Sequence, residues 1–82
     1  MYKAKKLKDA APYYRTHVEV SNEHALPILE RIKENHWIKD VDTVIMENTT
    51  SIYFLADKYA IEWINSWFNR CEQANGDYWN RK

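Results

Sequence analysis

Three histidines, His17, His24 and His36, are the side chains best suited to bind a metal or move a proton near neutral pH. His24 and His36 are twelve residues apart, and a helix would separate them by roughly 18 Å, too far to share one ion. No HxxxH, CxxC or HExxH pairing occurs, and such spacings are what bring two ligands to one metal. The carboxylates make no catalytic pair. Glu30, Glu34, Glu62 and Glu72 fall on the polar sides of amphipathic segments, while Asp42 and Asp57 stand where a turn and a helix cap are expected. No serine or cysteine lies in a nucleophile-elbow context, and a chain with one glycine cannot build a glycine-rich phosphate cradle. The expectation is a protein that is not an enzyme and has no cofactor, no metal and no small-molecule substrate.

Binding chemistry is better represented. Over residues 57–76, Tyr59, Ala60, Ile61, Trp63, Ile64, Trp67, Phe68 and Cys71 fan across roughly 200° of a helical wheel. Lys58, Glu62, Asn65, Ser66, Asn69, Glu72 and Gln73 fill the remainder. A core-facing helix needs a stripe only somewhat wider than about 100°. The surplus sits on the edges, Tyr59 with Trp63 on one side and Ile61 with Phe68 on the other. A second apolar group, Val44, Met46, Tyr53 and Leu55, alternates along two predicted strands on the face turned from the helices. Interface cores favour Trp, Tyr and Met over charge. Val44, Met46, Tyr53, Leu55, Tyr59 and Trp63 are therefore the expected partner-binding residues, whether the partner is another protein or a second copy in a dimer.

A separate chemistry lies at the N-terminus. Lys3, Lys5, Lys6, Lys8 and Arg15 stand against Asp9 alone in residues 1–15, a net of +4 in a chain whose overall charge is zero. Basic residues with tyrosines, here Tyr13 and Tyr53, form the second reading: phosphate contacts plus base stacking. Glu19 and Asp42 fall on the same predicted face and repel phosphates. The chain also lacks the basic-Gly-aromatic run of RNA-recognition strands.

These side chains need a scaffold. From 13 to 20 the pattern alternates, with Tyr14, Thr16, Val18 and Val20 on one face and Tyr13, Arg15, His17 and Glu19 on the other, which is a half-buried strand. Ser21 or Asn22 offers an N-cap oxygen. Ala25, Leu29, Ile32 and His36 then recur at helical spacing over 22–36, where Pro27 fits only within about the first turn. Lys39 and Asp40 read as a turn. Residues 41–47 and 50–56 are β-branched and aromatic, and Asn48 with Thr49 between them predict a hairpin pairing Ile45 with Ile52, Thr43 with Phe54 and Val41 with Ala56. Asp57 caps the long helix, and Asn75 and Gly76 end it.

The order β-α-β-β-α predicts an α+β two-layer sandwich with both helices on one sheet face. A short strand within 77–82 would complete a ferredoxin-like plan, or these residues form a tail folding back on the helix. Three regions follow: a basic N-terminal arm at 1–12, one α+β domain at 13–76, and the tail or edge strand at 77–82. Eighty-two residues make a single small core, here supplied by four Trp, six Tyr and two Phe. The one cysteine, Cys71, cannot form an internal disulfide and suits a buried thiol in a reducing compartment. No apolar run of about 18 residues spans a membrane, and the basic start leads to Asp9 and Pro12 rather than an apolar signal segment, so a cytoplasmic address is expected.

One small domain, few glycines, abundant Trp, Tyr, Asn and Lys, and no catalytic signature together resemble the small accessory proteins of T-even-type bacteriophages. That resemblance covers the whole chain and rests on texture rather than on a motif. It implies a product that binds and modulates a host or phage protein, often as an inhibitor of host enzymes, defences or toxins, and that works in the host cytoplasm.

Overall fold

The structure, a computed structural model, describes residues 2–10 and 12–73. The expected helix end at Asn75 and Gly76 and the tail or strand at 77–82 lie outside them. Six elements follow one another: β1 (Lys5–Ala10), β2 (Tyr13–Ser21), α1 (Asn22–Lys33), β3 (Ile38–Ile45), β4 (Thr49–Ala56) and α2 (Lys58–Gln73). The strands make one sheet in the order β1-β2-β4-β3, every neighbouring pair antiparallel. Both helices pack on one face of it, giving the expected α+β two-layer sandwich.

The element that sequence reasoning left out of the sheet is β1. Its KKLKDA run has no apolar alternation, yet it pairs with β2 from Lys5 opposite His17 to Ala10 opposite Tyr13. Backbone pairing, not side-chain pattern, makes it a strand. Lysines along an edge strand also discourage pairing with another chain. Because β4 separates β2 from β3, β2-α1-β3 is a split βαβ unit. In the ferredoxin-like plan the strand beside β2 comes from the far end of the unit; here β1, from the near end, holds that place.

Alternation along β2 is as expected. Thr16, Val18 and Val20 are buried, and the Thr16 hydroxyl is satisfied by donating to the Tyr14 carbonyl at 3.0 Å. Ser21 is the N-cap of α1, its hydroxyl oxygen accepting from the Glu23 N–H at 3.3 Å. Pro27 sits deeper than the first turn, so the Glu23 carbonyl receives no helical N–H from it. Burial of Ile28 and Ile32 offsets that loss. Asp57 caps α2 as expected, accepting from the Ala60 N–H at 2.8 Å.

The β3–β4 register departs from the predicted one. Thr43 pairs with Ile52, Val44 with Ser51 and Ile45 with Thr50, and Met46 N–H donates to the Thr49 carbonyl at 2.8 Å. The turn is therefore at Glu47 and Asn48, one residue earlier than expected. Asn22 explains it. Its Nδ2 donates to the Met46 and Glu47 carbonyls at 3.0 and 3.1 Å, its N–H reaches the Asn48 carbonyl at 3.1 Å, and its Oδ1 accepts from the buried Thr50 hydroxyl at 2.6 Å. As a result Ile45, expected over the core, overhangs it and is 76% exposed. Lys39 and Asp40 form no turn. A bulge between Lys39 and Asp42, with Asp40 at φ 53°, shifts the alternation and lets Ile38 reach the core.

One core joins the sheet and helices, with Phe54, Phe68, Ile28, Ile32, Ile52 and Ile64 fully buried. Residues 2–4 form part of its wall. Tyr2 N–H donates to Glu72 Oε1 at 2.8 Å and Ala4 N–H to Asn65 Oδ1 at 2.8 Å, so polar residues of α2 hold the segment down. The Ser21 N–H donates to the Tyr2 hydroxyl at 2.9 Å, and that hydroxyl lies 3.1 Å from His24 Nδ1.

Candidate functional site

The two edges of α2 meet different fates. Ile61 and Phe68 are buried, the latter under the Tyr2 ring at a centroid distance of 5.9 Å. Tyr59, on the other edge, is 76% exposed, and Trp63 is half-buried. They open onto a groove of about 420 Å³ between the N-terminal half of α2 and the end of α1, closed on the far side by His36 and Trp37 of the connecting turn. Its volume is within the range of sites that hold a small ligand or a few side chains.

Local sequence fixes the walls. Asn35 N–H donates to the Ile32 carbonyl and Ile38 N–H to the Asn35 carbonyl, both at 3.1 Å, while Asn35 Oδ1 accepts from the Trp37 N–H at 2.8 Å. That tight turn holds the Trp37 backbone, and Trp37 as a whole is 66% exposed. Trp63 and Trp67, one helical turn apart, stack nearly parallel at 9° with centroids 6.5 Å apart. The Arg31 guanidinium lies over both, 5.4 Å from Trp63 and 5.9 Å from Trp67, and Glu34 pairs with it at 3.5 Å. Such an arginine keeps outward-facing donors beside apolar rings. An aromatic or aliphatic group suits the rings, and a carbonyl or carboxylate suits Arg31.

The four predicted sheet residues do not share this groove; they lie on the opposite side of the molecule and divide in two. Val44 and Met46 flank the hairpin with Ile45, all three exposed. Tyr53 and Leu55 are half-buried in mid-sheet, Leu55 lying between Arg15 and Lys39 and Tyr53 between His17 and Asp42. Among the basic residues, Lys5 and Arg15 are on this outer face with Tyr13, and Lys8 is opposite Arg15 in the register. Lys6 turns to the other side, its Nζ 4.6 Å from the Tyr14 ring centre. Lys3 is exposed beside the segment that straps α2.

Sequence reasoning missed Arg31, His36 and Trp37 in the groove and Ile45 at the hairpin. Trp37 carried a signal: it directly follows the last helical repeat at His36, where a large aromatic falls in a turn rather than on a packed face. The histidines are dispersed, His17 on the sheet, His24 against Tyr2 and His36 in the groove. Among the described residues no cluster of His, Cys, Asp and Glu could hold a metal ion, and no helix is long and apolar enough to cross a membrane. Cys71 is fully buried, and desolvation raises its thiol pKa from 9.0 to about 11, against the smaller opposing pull of Arg70 and Arg31. It behaves as a core residue rather than a nucleophile.

In comparisons with known proteins, no family model, no curated protein and no solved structure matches this chain.

Proposed function

We propose that this chain is a small, non-enzymatic protein-binding module that inhibits or regulates its partner by occupying part of the partner's surface. The observation that carries the reading is the groove in which Tyr59, Trp63 and Trp37 stand around Arg31. Trp, Tyr and Arg are the residue types that supply most binding energy at protein interfaces, and they do so from partly enclosed pockets. Large aromatics left open to water on a core this small cost solubility, and a partner that covers them removes that cost. The resemblance to accessory proteins of T-even-type phages suggests a host or phage protein as partner, met in the host cytoplasm.

The test is affinity capture from bacterial lysate with the wild-type chain, a Trp37→Ala/Tyr59→Ala variant and a Tyr53→Ala variant, read by quantitative mass spectrometry. The reading expects one protein enriched by wild type and by Tyr53→Ala, and depleted roughly tenfold or more with the groove variant, as loss of two anchor side chains implies. Light scattering on the same samples reads self-association; a dimer abolished by the groove variant would make the partner a second copy. Equal capture by all three chains would remove the groove from the account.

A further inference from the structure

The outer face of the sheet carries chemistry unlike that of the groove. Cross-strand partners share a face, so the register lines up Lys5, His17, Tyr53 and Asp42 in one row and Arg15, Leu55 and Lys39 in the next. His17 and Tyr53 stack on one another with centroids 4.7 Å apart and planes at 26°. Rings that stack from neighbouring strands stand up from the sheet, and their outer faces can extend the stack with another flat ring. Lys39 reaches across Leu55 to place its Nζ 5.0 Å from the Tyr13 ring centre. His17 Nε2 is buried and has no hydrogen-bond partner among the described residues.

Charge of both signs lies on this face, three cations around the rings and the Asp42 carboxylate beside Tyr53. Lys5, Arg15 and Lys39 are exposed around the rings. Of the two carboxylates, Glu19 lies toward the hairpin and accepts from the Thr49 hydroxyl at 2.8 Å, and Asp42 accepts from the Thr43 N–H at 2.9 Å. Leu55 alone is apolar between the cations, too little for the dry centre of a protein interface. Flat rings for bases and cations for phosphates form one complementary set. Unpaired bases can lie flat on such a sheet and stack on its rings.

We propose that this face binds single-stranded nucleic acid, with bases stacked on the His17–Tyr53 pair and on Tyr13, and phosphates held by Lys5, Arg15 and Lys39. The proposal is independent of the protein-binding groove, which opens on the other layer.

Fluorescence anisotropy of the full chain with labelled single-stranded oligo-dT and oligo-U tests it. Three phosphate contacts predict affinity falling roughly 20-fold from about 50 to about 200 mM salt. Tyr53→Ala weakens binding about tenfold or more, Tyr53→Phe keeps it because the ring remains, and Arg15→Glu/Lys39→Glu abolishes it. Tyr59→Ala, in the groove, leaves it unchanged. Three results would overturn the proposal: no binding at low salt, equal affinity for a duplex, or binding that needs the cations while ignoring Tyr53→Ala.

Discussion

The ring of Tyr2 stands edge-on to that of Phe68, with centroids 5.9 Å apart and planes at 71°. This contact closes one flank of α2 with the chain's own N-terminal segment, and no equivalent cover lies over Tyr59 among the described residues. The two edges are alike in the sequence and unlike in the fold. What distinguishes them is polar: Asn65 and Glu72 accept the Ala4 and Tyr2 N–H groups on the Phe68 side.

Removing the Tyr2 hydroxyl should therefore loosen the strap without touching the groove. Tyr2→Phe leaves the Ser21 N–H without its partner and is expected to cost about 1–2 kcal/mol in urea unfolding. Tyr2→Ala also strips the ring from Phe68 and should cost about 1–2 kcal/mol more. Neither should alter partner capture while the protein stays folded.

Asn22 is expected to set the hairpin register. Asn22→Ala removes the bonds to the Met46 and Glu47 carbonyls and leaves the buried Thr50 hydroxyl unsatisfied. A loss of roughly 1–3 kcal/mol follows, and the Met46 amide, which closes the turn onto Thr49, should exchange with solvent much faster than in wild type. Unchanged Met46 exchange would show that the turn residues set the register by themselves.

How far the fold was legible in the sequence follows from the range of the interactions. The β2 alternation, the Ser21 and Asp57 caps and the composition of the α2 faces depend on residues a few positions apart, and all could be read directly. The turn at Glu47 and Asn48 could not, because it is chosen by Asn22, more than twenty positions earlier. The bulge at Asp40 inverts the in-out pattern within a single strand, so Ile38 and Val41 both face inward. Strand β1 has no pattern of its own and exists through pairing with β2. The groove was half visible: its α2 wall was read from the wheel, while Arg31 and Trp37 joined it only once α1 ended at Lys33.

Asp40 holds a left-handed conformation, φ 53°, that a side chain tolerates at some cost. Asp40→Gly should raise stability by about 0.5–1 kcal/mol, and Asp40→Val should lower it by about 1–2 kcal/mol. Thermal melts of the two variants, moving in opposite directions, provide the check.

Cys71 links stability to alkaline pH. Burial pushes its folded pKa up from the ordinary 9.0 to about 11, so the folded state favours the neutral thiol. The resulting stability is complete below pH 9 and drains away as the unfolded thiol ionises between pH 9 and 11, by on the order of 2 kcal/mol. Cys71→Ser or Cys71→Ala should flatten that part of the stability–pH curve. At pH 8 the native thiol should resist a disulfide reagent that labels the unfolded chain at once.

The most direct measurement of the central claim is photocrosslinking from the groove itself. A photoreactive benzoylphenylalanine placed at Tyr59, and in a second protein at Tyr53, reports which layer touches a captured partner protein. The account predicts a discrete protein adduct from position 59 and none from position 53. An adduct from position 53 alone, or none from 59 while capture persists, would contradict it.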